Sequence, residues 1–231
     1  MRYFSSNAAL YSIGFEHQRE ETDHFSGEDT DMDVNAYVHE SLEKLRELGI
    51  DAMGAEKEVA GSFIFQPEEA LEAMEEEQIL GMLLSNIGAG FHRGTEQAAR
   101  EIYTFDMEVP DILRMYTAFL EGVSQIAKGE LAFTDVEEDV PEEVLESGRG
   151  SRTVRFRCNG KAYEYRARLA YDWFDIGILA FMNRVLGEQN LESRLYVTSD
   201  GYQECVVLYR TEEWARRFRE LFGVELEQPG H

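Results

Sequence analysis

Two cysteines in 231 residues, Cys158 and Cys205, are too few for a disulfide framework, and no Cys-x-x-Cys pair is present for metal or redox work. Long hydrophobic runs are missing too. The longest apolar stretch, Ile79 to Phe91, is interrupted by Gly81, Gly88 and Gly90 and falls well short of the roughly 20 residues of a membrane span. The opening residues, Met1 to Asn7, carry no basic segment followed by an apolar core, so they predict a first strand rather than a signal peptide. Positive charge is in short supply: 22 Lys and Arg face 46 Asp and Glu, a net charge of −24. That balance argues against nucleic acid and anionic membrane surfaces, whose binding needs Lys and Arg on phosphate. It fits a basic protein partner reached by long-range attraction. A salt-rich cytoplasm would also favour such a surface.

What is present is enough for a core. Hydrophobic residues make up 43% of the chain and aromatics 12%, which excludes wholesale disorder. With reduced thiols and no membrane span, the expected location is the cytoplasm. The charge is unevenly placed. Residues 1–148 hold 34 acidic against 9 basic residues, whereas residues 149–231 hold 12 against 13. The change falls at Ser147-Gly148-Arg149-Gly150-Ser151, a flexible joint by composition. This sets a candidate boundary between an acidic mixed region, 1–148, and a C-terminal domain, 149–231, although the two can also form one continuous fold.

The first region predicts a helix from about Asn35 to Leu48, with Gly49 as its stop, and a Glu-rich helix from Pro67 to about Met82. It also predicts a glycine loop at 88–94, a helix from Glu96 to Phe105, a helix after Pro110 reaching Gly129, and a strand from Leu131 to Val136. The second region is more regular. Asn159-Gly160 between two alternating runs is a hairpin signal that pairs Phe156 with Tyr163 and Val154 with Tyr165. A helix from Trp173 to Leu186, with Asp172 as cap, then leads to a second hairpin around Asp200-Gly201 and a last helix capped by Thr211. The expectation is an α+β fold in which antiparallel sheet packs with helices and the C-terminal part runs β-β-α-β-β-α.

Four constellations are candidates for function. If helical, His17, Glu20, Glu21 and His24 share one face at i, i+3, i+4 and i+7, a spacing that presents metal ligands. Asp29, Asp31, Asp33 and Glu40 resemble positions 1, 3, 5 and 12 of an EF-hand calcium loop. Val34 replaces the turn glycine, and Asp33 reads equally as a helix cap. Arg155, Arg157, Arg166 and Arg168 lie on one face of the first hairpin, where their repulsion invites an anion or an acidic segment, in cis or from a second copy in a homodimer. The acidic first region itself is the fourth.

No G-x-S-x-G elbow or Walker lysine is present, and Asp172 and Asp175 read as helix-start acids rather than a catalytic pair. No cofactor is implied. The leading expectation is a non-catalytic binding protein of the inhibitor or immunity type, with an acidic docking surface for a basic protein. The alternatives are a metal-dependent enzyme built on residues 16–40 and an oligomeric structural module.

Overall fold

Asn159 and Gly160 take φ values of 50° and 82°, the left-handed pair a type I′ turn requires. That turn joins β3 (Arg149–Cys158) to β4 (Lys161–Ala170) in the expected register, with Phe156 opposite Tyr163, Val154 opposite Tyr165 and Arg155 opposite Glu164. The structure is a computed structural model and describes residues 33–50, 52, 74–89 and 101–230, all within one compact unit.

Before this hairpin come α1 (Val34–Glu47), α2 (Glu76–Ala89), β1 (Tyr103–Asp106), α3 (Met115–Ile126), β2 (Phe133–Asp139) and α4 (Glu142–Ser147). After it come α5 (Gly177–Glu188), β5 (Ser193–Ser199), β6 (Glu204–Thr211) and α6 (Glu212–Phe222). The fold is α+β, with two antiparallel three-stranded sheets ordered β1-β6-β5 and β2-β3-β4. Each C-terminal hairpin therefore belongs to a different sheet, and each sheet takes its third strand from before residue 148.

Burial explains the separation. β3 and β4 alternate, with Val154, Phe156, Cys158, Ala167 and Leu169 buried and the intervening arginines exposed, so their sheet needs cover on one side only. β6 is buried on both faces. Cys205, Val207 and Tyr209 join a core shared with α3, α5 and the inward side of β3 and β4, while Val206 and Leu208 pack with α1, α2 and α6. A strand apolar on both faces belongs in the middle of a covered sheet, and β6 is the central strand of its own.

Several boundaries differ from the sequence expectation, each for a physical reason. The helix predicted up to Phe105 gives way to β1, whose Tyr103 and Phe105 enter the core and whose register runs against Val207 and Cys205 of β6. Residues 172–176 form a turn, and α5 begins only at Gly177. Asp175 rather than Asp172 anchors it, accepting hydrogen bonds from Gly177 N at 3.1 Å, Tyr165 Oη at 3.0 Å and Arg168 N at 2.8 Å. The helix after Pro110 starts at Met115, and β2 begins at Phe133 and continues to Asp139, bulging between Thr134 and Glu137.

The Glu-rich helix is described from Glu76 and runs to Ala89, through Gly81 and Gly88. A Cβ at Gly81 would stand 2.2 Å from the Ser199 carbonyl oxygen, and one at Gly88 would stand 2.1 Å from Thr104 Oγ1. These glycines let α2 lie directly on the sheet, at a helix cost of about 1 kcal/mol each.

One ion pair sits inside the apolar layers. Arg152 points inward from β3 and meets Glu138 of β2 at 2.9 Å, their side chains 0% and 2% exposed. Glu138 also accepts from Thr117 N at 2.7 Å and Thr117 Oγ1 at 2.8 Å, and Arg152 donates to the Ile112 carbonyl. The guanidinium lies 5.5 Å from the centre of the Tyr116 ring. Removing one partner leaves a buried, unpaired charge, so Glu138→Ala is expected to lower unfolding free energy by about 3–5 kcal/mol in denaturant titration. Arg155→Ala, which breaks an exposed pair, is expected to cost less than about 1 kcal/mol in the same titration. Equal losses would contradict this account.

Candidate functional site

The predicted metal ligands fall in different places. Asp33 caps α1, its carboxylate accepting from Ala36 N at 3.0 Å. Glu40 lies two turns further along and pairs with Lys44 at 2.8 Å, which holds its carboxyl below the usual range. Both are thus occupied in building and solvating a helix. His17, Glu20, Glu21, His24, Asp29 and Asp31 lie outside the described residues, as do residues 90–94 of the glycine loop. Among the described residues no group of three or more His, Cys, Asp or Glu side chains is placed to hold a metal ion. No described helix is long and apolar enough to cross a membrane.

The arginine face is formed as the alternation requires, and its neighbours were not visible in the hairpin alone. Arg155 pairs with Glu164 at 2.8 Å across the hairpin and approaches Asp139 at 3.9 Å. Arg157 pairs with Asp135 at 3.1 Å and donates to the Gly160 carbonyl at 2.8 Å. Asp135 and Asp139 come from β2, which lies beside β3 and supplies negative charge to the same surface. Arg166 Nε donates to Ser151 Oγ at 2.9 Å, and the Arg168 backbone is held by Asp175. Two of the four arginines therefore find their counter-charges within their own sheet.

A second surface forms where several connections meet. The segment between β1 and α3 is tied to the turn after β4 by Val109 N to Asp172 O and Phe174 N to Met107 O, both 2.8 Å. The β5–β6 turn joins through Met107 N to Gln203 O at 3.0 Å and Gln203 Nε2 to Glu108 Oε2 at 3.1 Å. The α4–β3 joint closes on the same turn through Tyr171 N to Gly148 O, and the Tyr171 ring covers Gly148 so closely that a Cβ there would clash.

These connected loops carry Leu113 at 57%, Tyr171 at 52%, Ile176 at 44% and Tyr202 at 61% exposure, and α4 adds Leu145. Among them stand exposed carboxylates of Asp106, Glu108, Asp111, Glu142, Glu143 and Glu146. Every large hydrophobic side chain that is exposed among the described residues thus lies on these loops or on α4. The acidic excess was legible in the sequence, but the apolar component was not. Leu113, Tyr171 and Ile176 are single residues in separate loops, with no periodicity to connect them.

Neither cysteine has the surroundings of a nucleophile. Cys158 and Cys205 are buried, and burial raises both thiols, Cys205 to about 12 with Glu227 and Glu204 adding to the effect. Trp214 donates from Nε1 to the Leu48 carbonyl at 2.8 Å and stacks on Phe218, a packing role that joins α6 to the end of α1.

Compared with known proteins, the chain matches no family model, no curated protein sequence and no solved structure.

The state of the thiols gives a direct check on this geometry. In native protein at pH 8 both cysteines are expected to resist a thiol-specific reagent for hours and to react within minutes in denaturant. Rapid native labelling of either would show that its strand is not packed as described.

Proposed function

We propose that this chain is a non-catalytic binding protein that presents its acidic, apolar-studded end to a basic protein partner. The observation that carries the reading is the gathering of Leu113, Leu145, Tyr171, Ile176 and Tyr202 on loops and a helix that also bear Asp106, Glu108, Asp111, Glu142, Glu143 and Glu146. A few anchor side chains, Tyr prominent among them, supply most of the energy at protein interfaces, while surrounding charges set encounter rate and partner choice. Carboxylates in such numbers select a partner rich in Lys and Arg, and the −24 net charge extends that attraction beyond contact range. An inhibitor or immunity role, in which the acidic end occludes a basic cleft, is one form such binding takes.

Supporting this reading over a metal-dependent enzyme, Asp33 and Glu40 are committed to capping and pairing within α1. Supporting it over a homodimer held by the arginine hairpin, Arg155 and Arg157 already have carboxylate partners on their own sheet.

The test is capture of a basic protein from the source cell's lysate at low salt, made specific by variants. Leu113→Ser with Ile176→Ser removes apolar contacts, and Glu142→Lys with Glu143→Lys and Glu146→Lys reverses charge on α4. A partner released by raised salt and bound at least tenfold more weakly by both variants, but not by Arg155→Ala, is the expected result. Capture that is unchanged in both variants, or no salt-sensitive partner at all, would overturn it.

A further inference from the structure

Three arginines meet at a cleft on the opposite edge of the arginine-bearing sheet from β2; Arg184 feels Glu188 one turn along α5, a carboxylate already paired with Lys161 at 2.9 Å. The cleft, of about 650 Å³, lies between β4, α5, the start of β5 and the C-terminal residues, and Arg166, Arg184 and Arg194 all line it. That volume lies within the range of small-molecule sites, roughly 300–1,000 Å³. In a chain with 46 acidic and 22 basic residues, arginines generally find a carboxylate nearby, as Arg155, Arg157, Arg210 and Arg216 do. Arg166, Arg184 and Arg194 form no ion pair with any described residue. Glu164 is the one carboxylate on the lining, and it is already engaged by Arg155.

The walls are held in place. Asn183, buried in α5, donates to Leu195 O at 3.0 Å and to Pro229 O at 2.9 Å and accepts from Leu195 N at 2.7 Å, fixing both β5 and the C-terminal segment against the helix. Arg194 is steadied by the Leu191 and Ser193 carbonyls at 2.6 and 2.8 Å. Arg184 lies 4.8 Å from the centre of the Phe181 ring, which in turn packs on Tyr165. Arg166 spends Nε on Ser151, leaving the two terminal nitrogens of its fork for a ligand. Guanidinium forks of this kind bind phosphate or carboxylate oxygens in pairs.

We propose that this cleft is a binding site for a small polyanion, a molecule carrying two or more phosphate or carboxylate charges, with Arg166, Arg184 and Arg194 as its recognising groups and the Tyr165–Phe181 wall against its carbon skeleton. The proposal stands whether or not the acidic end binds a protein.

The experiment is isothermal titration of the full chain with pyrophosphate and with citrate at matched ionic strength. Parallel titrations use Arg166→Gln, Arg184→Gln, Arg194→Gln and the exposed α6 variant Arg217→Gln. One-to-one binding of either anion, weakened tenfold or more by each of the three cleft substitutions and less than twofold by Arg217→Gln, is expected. Pyrophosphate binding without citrate binding identifies phosphate as the chemistry, and the reverse identifies carboxylate. Because Arg194 also braces β5, its variant is checked for an unchanged melting temperature, and the exposed Arg166 and Arg184 carry the result if it melts early. No saturable binding of either anion, binding weakened equally by Arg217→Gln, or binding of a polyglutamate peptide alone would overturn the proposal.

Discussion

The structure depends on a buried charge pair that an apolar core could have avoided. Arg152 and Glu138 join adjacent strands, and through Thr117 and the Ile112 carbonyl they also fasten α3 and the loop before it. Two charges moved out of water cost several kcal/mol each unless their geometry and further hydrogen bonds compensate. Here the carboxylate accepts three hydrogen bonds and the guanidinium lies against the Tyr116 ring, but Arg152 bonds through Nη1 alone and its Nε and Nη2 are buried without hydrogen-bond partners. An apolar pair of similar volume would serve stability as well. What the ionic pair adds is registration, because any slip of β2 against β3 would strand both charges in the core. β2 has need of such a pin, being an edge strand already interrupted by a bulge at Asp135.

From that pin outward the two sheets have different tasks. The sheet containing β6 is covered on both faces and serves as the framework. The sheet containing β3 is covered on one face and turns the other, with its alternating arginines and carboxylates, toward solvent. Its β2 side joins the acidic α4 through Pro141, and its β4 side borders the cleft of Arg166, Arg184 and Arg194. Near the cleft, Glu164 is engaged by Arg155, Glu188 by Lys161, and Asp175 by Tyr165 and the Arg168 backbone.

The chain itself determined its local grammar. Asn159-Gly160 dictated a hairpin and its register, because few other dipeptides adopt two left-handed conformations cheaply. Asp33 and Thr211 marked helix starts, and both side chains accept hydrogen bonds from the first turn as their chemistry predicts. The partly apolar faces of the second hairpin point to strands near the middle of a sheet, which holds for β6 but not for β5, an edge strand. The α+β class and the β-β-α-β-β-α order followed from these local signals, as did the placement of Arg155, Arg157, Arg166 and Arg168 on a single face.

Tertiary structure decided whatever depends on residues distant in sequence. That Gly88 belongs inside a helix became clear only with Thr104 lying against it, because a glycine's local preference points to a loop while its packing value depends on what lies opposite. That β1 is a strand depended on the open edge of β6 beside it. The cleft arginines lie 18 and 28 positions apart from Arg166, and Arg184 sits on a helix that reads as apolar nearly all round. The exposed Leu113, Tyr171 and Ile176 belong to separate loops in the same way. Sequence periodicity reports which face of an element is buried, because that is set by the element's own geometry. Which faces and loops then meet is set by long-range packing, and both candidate binding surfaces of this protein are products of that second step.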